Sequence, residues 1–186
     1  MSNSAEQQPW QTHDRLVEIN SPWVKLICDR LEDNTGKCLD YWRVEKADSV
    51  IILTLQRDRF LLPKPSYRPG IGQVTLDFPG GRISNKQNPE KAIALILKRE
   101  LGILPEAIQQ LTPLNTEGWI VNSSFSNQKL YGFVANLSPD IAIDPELLGF
   151  TYPVTSQGIH SLLQQLTCLQ CRALLLDYQQ SNFSQL

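Results

Sequence analysis

An uninterrupted apolar run at residues 49 to 55 (SVIILTL) places the strongest constraint on the fold of this chain. A strand that faces solvent on one side alternates apolar and polar residues, whereas this run is apolar at nearly every position. We therefore expect a central strand that is covered on both faces. A charged turn separates it from a second apolar segment at residues 59 to 62 (RFLL), and the two segments predict the middle of a β-sheet.

The segment before this sheet predicts a hairpin with a polar arm in front of it. Residues 23 to 31 (WVKLICDRL) and 39 to 45 (LDYWRVE) are β-prone and flank a turn-forming cluster at residues 33 to 37 (DNTGK). We expect an N-terminal hairpin at about residues 22 to 46. Residues 1 to 13 are polar and rich in Gln and Ser, which predicts a flexible arm.

The best-defined helix is predicted at residues 88 to 101. Asn88 can cap its start, Pro89 suits its first turn, and Gly102 ends it. The run at residues 92 to 97 (AIALIL) is apolar all the way round, so Leu95 and Ile96 need cover or form an exposed patch. We expect the cover to come from the chain's own loops, with a partner or an apolar ligand as the alternatives.

The remaining segments predict one α/β domain over residues 14 to 180, followed by a tail at residues 181 to 186. Residues 118 to 121 (GWIV) and 129 to 135 (KLYGFVA) predict strands, and residues 158 to 178 predict a closing amphipathic helix. Residues 138 to 155 have no predicted element. A Pro- and Gly-rich connection at residues 63 to 72 leads to residues 73 to 81 (QVTLDFPGG), and loops of this kind often carry function.

Composition narrows the classes of function. The formal net charge of -2 leaves no basic excess for a general nucleic-acid binder, although a small anionic ligand is compatible with it. No stretch is long and apolar enough to span a membrane, and the first residues do not resemble a signal peptide, so we expect a soluble cytoplasmic protein. Cys168 and Cys171 lack the second pair of ligands of a structural zinc site, and we expect them to pack as small apolar groups one turn apart on the last helix.

Residues 81 to 103 resemble the Nudix box, a loop-helix-loop motif written G-x5-E-x7-R-E-U-x-E-E-x-G-U, in which U is a bulky aliphatic residue. The two motif glycines fall on Gly81 and Gly102 without insertion or deletion, and the aliphatic positions fall on Leu97 and Ile103. Upstream, residues 66 to 69 (SYRP) and 77 to 81 (DFPGG) are similar to segments of the ADP-ribose pyrophosphatase branch of that family. The resemblance covers about residues 15 to 178 and implies a Nudix-like α/β/α sandwich with a mixed sheet.

The resemblance preserves the frame of the motif but not its charged positions. The family's first glutamate is replaced by Gln87, its arginine by Leu95 and the adjacent glutamate by Ile96, whereas the final pair of glutamates is Arg99 and Glu100 here. These five side chains sum to no net charge, whereas the family pattern is strongly acidic. A guanidinium at the position of a metal ligand repels a divalent cation.

Family members hydrolyse diphosphates with Mg²⁺ or Mn²⁺, which the resemblance implies here if the protein is active, whereas an inactive protein needs neither ion. Glu100 is then the residual catalytic group, and Glu100 with Gly81 is the candidate metal site. Five residues are the candidates for contact with a ligand: Arg68, Asp77, Gly80, Gly81 and Arg99.

A further catalytic carboxylate comes from a late loop in some Nudix enzymes, and three residues could supply it here: Asp140, Asp144 and Glu146. For each candidate an ordinary ion-pair, capping or loop role is the alternative.

Three functions are compatible with these residues. The first is a nearly inactive Nudix-like protein that binds a nucleoside diphosphate derivative or a protein partner. The second is a working pyrophosphohydrolase of ADP-ribose or a related compound, and the third is a structural role through a patch at Leu95 and Ile96. The resemblance also implies a possible homodimer through the N-terminal hairpin.

Overall fold

The computed structural model describes residues 9–83 and 89–183. Their contacts divide the chain into two compact units, which are described separately. The amino-terminal unit contains the chain up to Ala47 together with Ile120–Gln128, and the main unit contains Asp48–Trp119 and the chain from Lys129 onward. The single domain expected over residues 14 to 180 stays a prediction.

The amino-terminal unit contains a three-stranded antiparallel sheet in the order β1-β2-β3. Its strands are β1 (Gln11–Asn20), β2 (Lys25–Glu32) and β3 (Cys38–Glu45). The hairpin predicted at residues 22 to 46 is confirmed as β2 and β3, and Asp33 stabilises its turn by accepting hydrogen bonds from the Thr35 and Lys37 amides at 2.8 and 3.0 Å. Residues 11 to 13 of the expected arm belong to β1, in which Gln11 and Thr12 pair with Glu32 and Leu31 at the end of β2.

The two faces of this sheet have different chemistry. Asp29 is buried on one face, where its carboxylate accepts hydrogen bonds from Arg15 at 2.9 Å and Arg43 at 3.1 Å. On the other face Ile19 pairs with Leu26, Leu26 pairs with Val44, and Trp42 lies two residues from Val44 on β3. Because directly paired residues share a face and side chains alternate along a strand, Ile19, Leu26 and Trp42 lie on the same face. The Arg30–Asp40 ion pair lies farther along that face, so its apolar part is the end near Ile19.

The remaining elements follow in chain order. The first strands are β4 (Ser49–Gln56), β5 (Arg59–Pro63), β6 (Ser66–Arg68), β7 (Gln73–Thr75) and β8 (Gly80–Arg82). They are followed by α1 (Pro89–Leu101), a short 3-10 turn (Pro105–Ala107), β9 (Ile108–Pro113), β10 (Trp119–Ile120), β11 (Lys129–Leu137), β12 (Leu148–Pro153), α2 (Ser156–Gln165) and α3 (Leu169–Phe183).

The main unit has a mixed sheet whose central strand is β4. The strands β11-β4-β5-β12 lie in that order, β9 pairs with β11, and β8 pairs with the first residues of β4. β11 is parallel to β4, whereas β9–β11, β4–β5, β5–β12 and β4–β8 are antiparallel pairs. β4 is buried at every position except its two ends, so the expectation of a central covered strand is confirmed.

Helices cover both faces of this sheet. Val50 and Ile52 of β4 share a buried cluster with Ile93 and Leu97 of α1. Phe60 of β5 is on the opposite face, where its ring centroid lies 5.5 Å from that of Tyr178 in α3. The α/β/α arrangement expected from the sequence is therefore confirmed.

Three predictions of secondary structure need correction. The closing helix is two helices, because the chain turns between α2 and α3, where Leu166 forms a β-bridge with Leu76. The segment at residues 138 to 155 contains β12, which pairs with β5. The Pro- and Gly-rich connection contains β6, which pairs with β7. The partners of Leu166 and β12 are distant in sequence, and β6 and β7 are too short to leave a periodic signal.

The apolar helix α1 is covered unevenly. Ile96 is 3% exposed because it belongs to the buried cluster under the sheet, whereas Leu95 is 63% exposed. Cover by the chain's own residues is therefore confirmed for Ile96 and wrong for Leu95, and the two residues do not form one exposed patch. The predicted cap Asn88 lies outside the described residues.

Among the described residues, no helix has the length and apolar character needed to cross a bilayer.

We expect acid to destabilise the amino-terminal sheet through Asp29. The hydrogen bond from Arg15, with a smaller one from Arg43, holds the pKa of this carboxyl below its usual value despite its burial. Because the folded pKa lies below the unfolded value of about 3.9, the stabilisation is complete above about pH 4 and is lost as pH falls through the folded pKa. Urea unfolding followed by tryptophan fluorescence should show a smaller loss of stability between about pH 5 and pH 2 in Asp29→Asn than in the unmodified chain.

Asp40→Asn is the matched control, because Asp40 pairs with Arg30 on the exposed surface of the same sheet. An equal pH dependence in Asp29→Asn and the unmodified chain would contradict the assignment.

Candidate functional site

The two glycines before α1 allow the chain to pass very close to the central strand and the helix. Gly80 and Gly81 pair with Ile51 and Val50 of β4. A Cβ atom at Gly80 would lie 3.0 Å from the Val50 carbonyl oxygen, and one at Gly81 would lie 3.0 Å from the Ile96 side chain. A larger residue at either position would require the Val50 backbone or the Ile96 side chain to shift, so glycine suits this close approach.

The last turn of α1 faces this loop. Gly102 ends the helix with a φ of 69°, a left-handed conformation that glycine adopts without strain, and its amide donates to the Lys98 carbonyl at 3.2 Å. Residues 99 and 100 therefore stand at the carboxyl end of the helix, next to the Gly80-Gly81 loop. The expected end of the helix at Gly102 is confirmed.

Arg99 and Glu100 both bind the backbone of Gly80. The Gly80 amide donates to Glu100 Oε2 at 3.2 Å, and Arg99 Nη2 donates to the Gly80 carbonyl at 3.1 Å. The same Arg99 nitrogen donates to Glu100 Oε1 at 2.5 Å. The two side chains thus tie the end of the helix to the loop, and the guanidinium lies between the Gly80 carbonyl oxygen and Glu100 Oε1.

A cavity of about 300 Å³ lies beside this contact. Six charged side chains line it: Lys64, Arg68, Asp77, Arg99, Glu100 and Glu146. They form three ion pairs, Arg68 with Asp77 at 2.8 Å, Arg99 with Glu100 at 2.5 Å and Lys64 with Glu146 at 3.5 Å. The lining is therefore charge-balanced and lacks the acidic excess that attracts a divalent cation.

At the motif positions that the structure describes, few free oxygen atoms are available to a Mg²⁺ or Mn²⁺ ion. Such ions need several oxygen ligands in near-octahedral geometry. Glu100 and the Gly80 carbonyl already accept from Arg99, and Leu95 and Ile96 offer no donor atoms. Gln87, the remaining substituted position of the motif, lies outside the described residues.

A second cavity of about 490 Å³ shares Arg68, Thr75 and Asp77 with the first. Its wall also includes Gly80 and Gly81, so all five residues expected to contact a ligand line one cavity or the other. Apolar wall residues come from the central strand and the loops: Val50, Ile51, Ile71 and Phe78. The structure therefore brings the sequence-predicted residues together where the two cavities meet. This junction is polar, and one side of it is apolar.

The late-loop carboxylates are distributed differently. Glu146 lines the smaller cavity, whereas Asp140 pairs with Arg57 at 3.7 Å and lines a separate cavity. Asp144 accepts a hydrogen bond from the Glu146 amide at 2.8 Å and so shapes that loop. Of the three candidates, Glu146 is the one that the fold places at the site.

Cys168 and Cys171 belong to the larger cavity, although sequence reasoning left them out of the site. Cys168 precedes α3 and is half-buried, and Cys171 is buried in its first turn. A hydrogen bond from the Cys171 side chain, helped by the Cys171 and Gln170 amides, lowers the pKa of Cys168 to about 6. The same hydrogen bond and burial raise the pKa of Cys171 well above its usual value.

The expectation that both thiols pack as apolar groups on one helix is therefore wrong for Cys168. The Cys-x-x-Cys spacing at residues 168 to 171 was the sequence signal for these thiols. The break between α2 and α3, which leaves Cys168 outside the helix, is not visible in the sequence pattern.

Comparisons with known proteins agree with this architecture. A crystal structure titled ADP compounds hydrolase superposes with a TM-score of 0.77, covers 98% of this chain and 98% of its own, and is 20% identical in sequence. An RNA pyrophosphohydrolase from Hahella chejuensis (strain KCTC 2396) is 40% identical over 50 residues, which are 27% of this chain and 30% of that protein. No protein-family model matches the chain.

At 20% identity the structural likeness defines the fold, and the short local match spans less than a third of the curated relative. The chain has the fold of the solved ADP compounds hydrolase, and the α/β/α fold implied by the resemblance at residues 81 to 103 is confirmed.

Proposed function

We propose that this protein binds a nucleoside diphosphate derivative at the junction of the two cavities and hydrolyses it weakly or not at all. The observation that carries the proposal is the position of Arg99. Its guanidinium bridges the Gly80 carbonyl and the Glu100 carboxylate, so a cation of the chain itself replaces the divalent cation that Nudix chemistry requires.

The charged residues at the junction suit a phosphate group. Arg68 and Arg99 both line the smaller cavity, and a guanidinium can donate two hydrogen bonds to phosphate oxygens. Each arginine is now paired with a carboxylate on the cavity wall, so a bound phosphate would compete with Asp77 and Glu100. The pairs therefore favour a moderate affinity and make it sensitive to salt.

The apolar wall of the larger cavity suits the other half of such a ligand. Phe78 is buried at the wall, and Ile71 is 58% exposed beside it. A nucleobase or a sugar face can pack against such surfaces while its diphosphate lies near Arg68. The names of both similar proteins refer to ADP compounds or to a pyrophosphate bond, which supports a ligand of this class.

Isothermal titration with ADP-ribose tests this function. We expect binding with EDTA present and no strengthening by Mg²⁺, because no metal ion takes part. Arg99→Ala should weaken binding by about tenfold or more, since a charge-assisted hydrogen bond contributes roughly 1.5 to 3 kcal/mol. Lys98→Ala is the matched control, because Lys98 is an exposed cation on the same turn of α1 and lines neither cavity.

A working hydrolase is the second candidate function, and one observation favours it. Asp77, Glu100 and Glu146 all line the smaller cavity, so three carboxylates are within one site. Rapid Mg²⁺-dependent release of AMP from ADP-ribose, lost in Glu100→Gln and kept in Asp140→Asn, would support this alternative and reject the noncatalytic one. An absence of both binding and turnover would reject both.

Arg99→Glu should restore affinity for Mn²⁺. The substitution removes a cation and adds a carboxylate next to Glu100, so the side chains that line the smaller cavity gain a net negative charge. Because opposite charges at close range attract more strongly in a partly buried site than in water, we expect Mn²⁺ binding to tighten by about tenfold or more. Electron paramagnetic resonance of free Mn²⁺ measures the change, with Arg57→Glu as a control outside the cavity.

Equal Mn²⁺ affinity in Arg99→Glu and the unmodified chain would show that Arg99 does not govern the site. Thermal melting of both variants separates a change in affinity from a loss of fold.

We also propose a homodimer formed through the apolar face of the amino-terminal sheet. Ile19 is 58% exposed and Trp42 is 47% exposed on that face, and contiguous exposed apolar residues favour association. Ile19→Glu should shift the mass measured by light scattering from a dimer toward a monomer. Leu104→Glu, which changes an exposed leucine of the main unit, should leave the mass unchanged. A monomeric unmodified chain would contradict the proposal.

A further inference from the structure

Three potential metal ligands converge at the wall of the larger cavity. Asp77, Cys168 and Cys171 each offer one atom, and these atoms all lie within 4.8 Å of one another. Around a tetrahedral zinc ion with bonds of about 2.0 Å to oxygen and 2.3 Å to sulfur, neighbouring ligand atoms are separated by about 3.5 to 3.8 Å. The cluster is therefore compact enough to close around one ion with small side-chain movements.

The fold brings these residues together from distant parts of the chain. Asp77 follows β7, whereas the two cysteines flank the start of α3. A β-bridge between Leu76 and Leu166 joins the two segments immediately beside the cluster. The arrangement is thus a product of main-chain pairing and not of a flexible loop alone.

Neighbouring residues orient the carboxylate of Asp77. Its Oδ2 atom accepts hydrogen bonds from Arg68 Nε at 2.9 Å and Thr75 Oγ1 at 2.8 Å. Its Oδ1 atom faces the sulfur of Cys171 at 3.8 Å. One oxygen is therefore held by the protein while the other is directed at the thiols, as expected for a metal ligand supported by an outer layer of hydrogen bonds.

The charges also balance with a divalent ion in place. Two thiolates and one carboxylate carry three negative charges, and Arg68 contributes one positive charge beside Asp77. A divalent ion would bring this group to neutrality. Without it, the burial of Cys171, which is 1% exposed, disfavours a charged thiolate next to a carboxylate.

We propose that Asp77, Cys168 and Cys171 bind Zn²⁺, with a fourth coordination position open to the larger cavity. Mixed sulfur and oxygen donors in a small, tetrahedral set select Zn²⁺ over Mg²⁺ or Mn²⁺, which prefer oxygen ligands. All three residues line the cavity, so a ligand there would reach the open position. This site is separate from the hydrolytic metal site that the Nudix resemblance implies, and it does not depend on the proposed nucleotide-binding function.

Zinc content of the full-length chain tests the proposal. Protein reduced with a phosphine, loaded with Zn²⁺ and desalted should retain about one zinc ion per chain by mass spectrometry of the element. Co²⁺ in place of Zn²⁺ should produce the near-ultraviolet absorption of thiolate-to-cobalt charge transfer. Cys168→Ala should abolish both signals, and Asp77→Asn should weaken Co²⁺ binding by about tenfold or more.

Two controls make the result specific. Cys38→Ala should bind zinc normally, and it removes the other described cluster of potential ligands, His13 with Glu32 and Cys38, which lies on the amino-terminal sheet. Cys171→Ser keeps the volume of the buried side chain and should lose the charge-transfer band. Thermal melting identifies any variant that fails to fold, and Cys168→Ala is the least disruptive because Cys168 is half-buried.

Failure of the reduced chain to retain zinc would overturn the proposal, as would full zinc retention by Cys168→Ala. Cobalt binding without the thiolate band would also overturn it.

Discussion

The arrangement of the candidate site depends on how closely the Gly80-Gly81 loop lies against its neighbours. The loop pairs with β4 on one side, and on the other the Gly80 amide donates to Glu100 while the Gly80 carbonyl accepts from Arg99. A single Cβ atom at either glycine would meet neighbouring atoms at 3.0 Å. Because glycine allows this close approach, Arg99 and Glu100 reach the Gly80 backbone beside the smaller cavity.

This constraint holds the loop and the helix of residues 81 to 103 together whatever charged side chains they carry. The aliphatic positions of the Nudix-like spacing, Leu97 and Ile103, belong to the core. Their burial stabilises the fold without reference to any metal ion. The positions that carry charge in the Nudix pattern are divided here, because Leu95 and Arg99 are exposed whereas Ile96 is buried. The core packing and the charge of this segment therefore depend largely on different residues.

The junction of the two cavities shows how one carboxylate can serve two neighbours. Asp77 binds Arg68 through one oxygen and faces Cys171 with the other. Arg68 is thereby held at the wall of both cavities, next to the apolar surface of Phe78. An anion at Arg68 and a metal ion at the thiols would both act on the same carboxylate, so binding at one position would change affinity at the other.

The sequence alone determined the central strand, the hairpin, the helix α1 and the α/β class, because each of these has a local signal: a continuous apolar run, a turn cluster, or a cap with a stop glycine. It also placed Arg99 at the candidate site through the spacing of a motif, and Arg68 and Asp77 through the similarity of two upstream segments. The functional roles assigned to these residues stay predictions.

Only the tertiary structure decided which side of α1 is covered, that the closing helix is broken, and that Glu146 and not Asp140 reaches the cavity. It also decided that the two cysteines meet Asp77, which lies about ninety residues earlier in the chain. These outcomes depend on pairing between distant segments, and such long-range contacts leave no periodic pattern in the sequence.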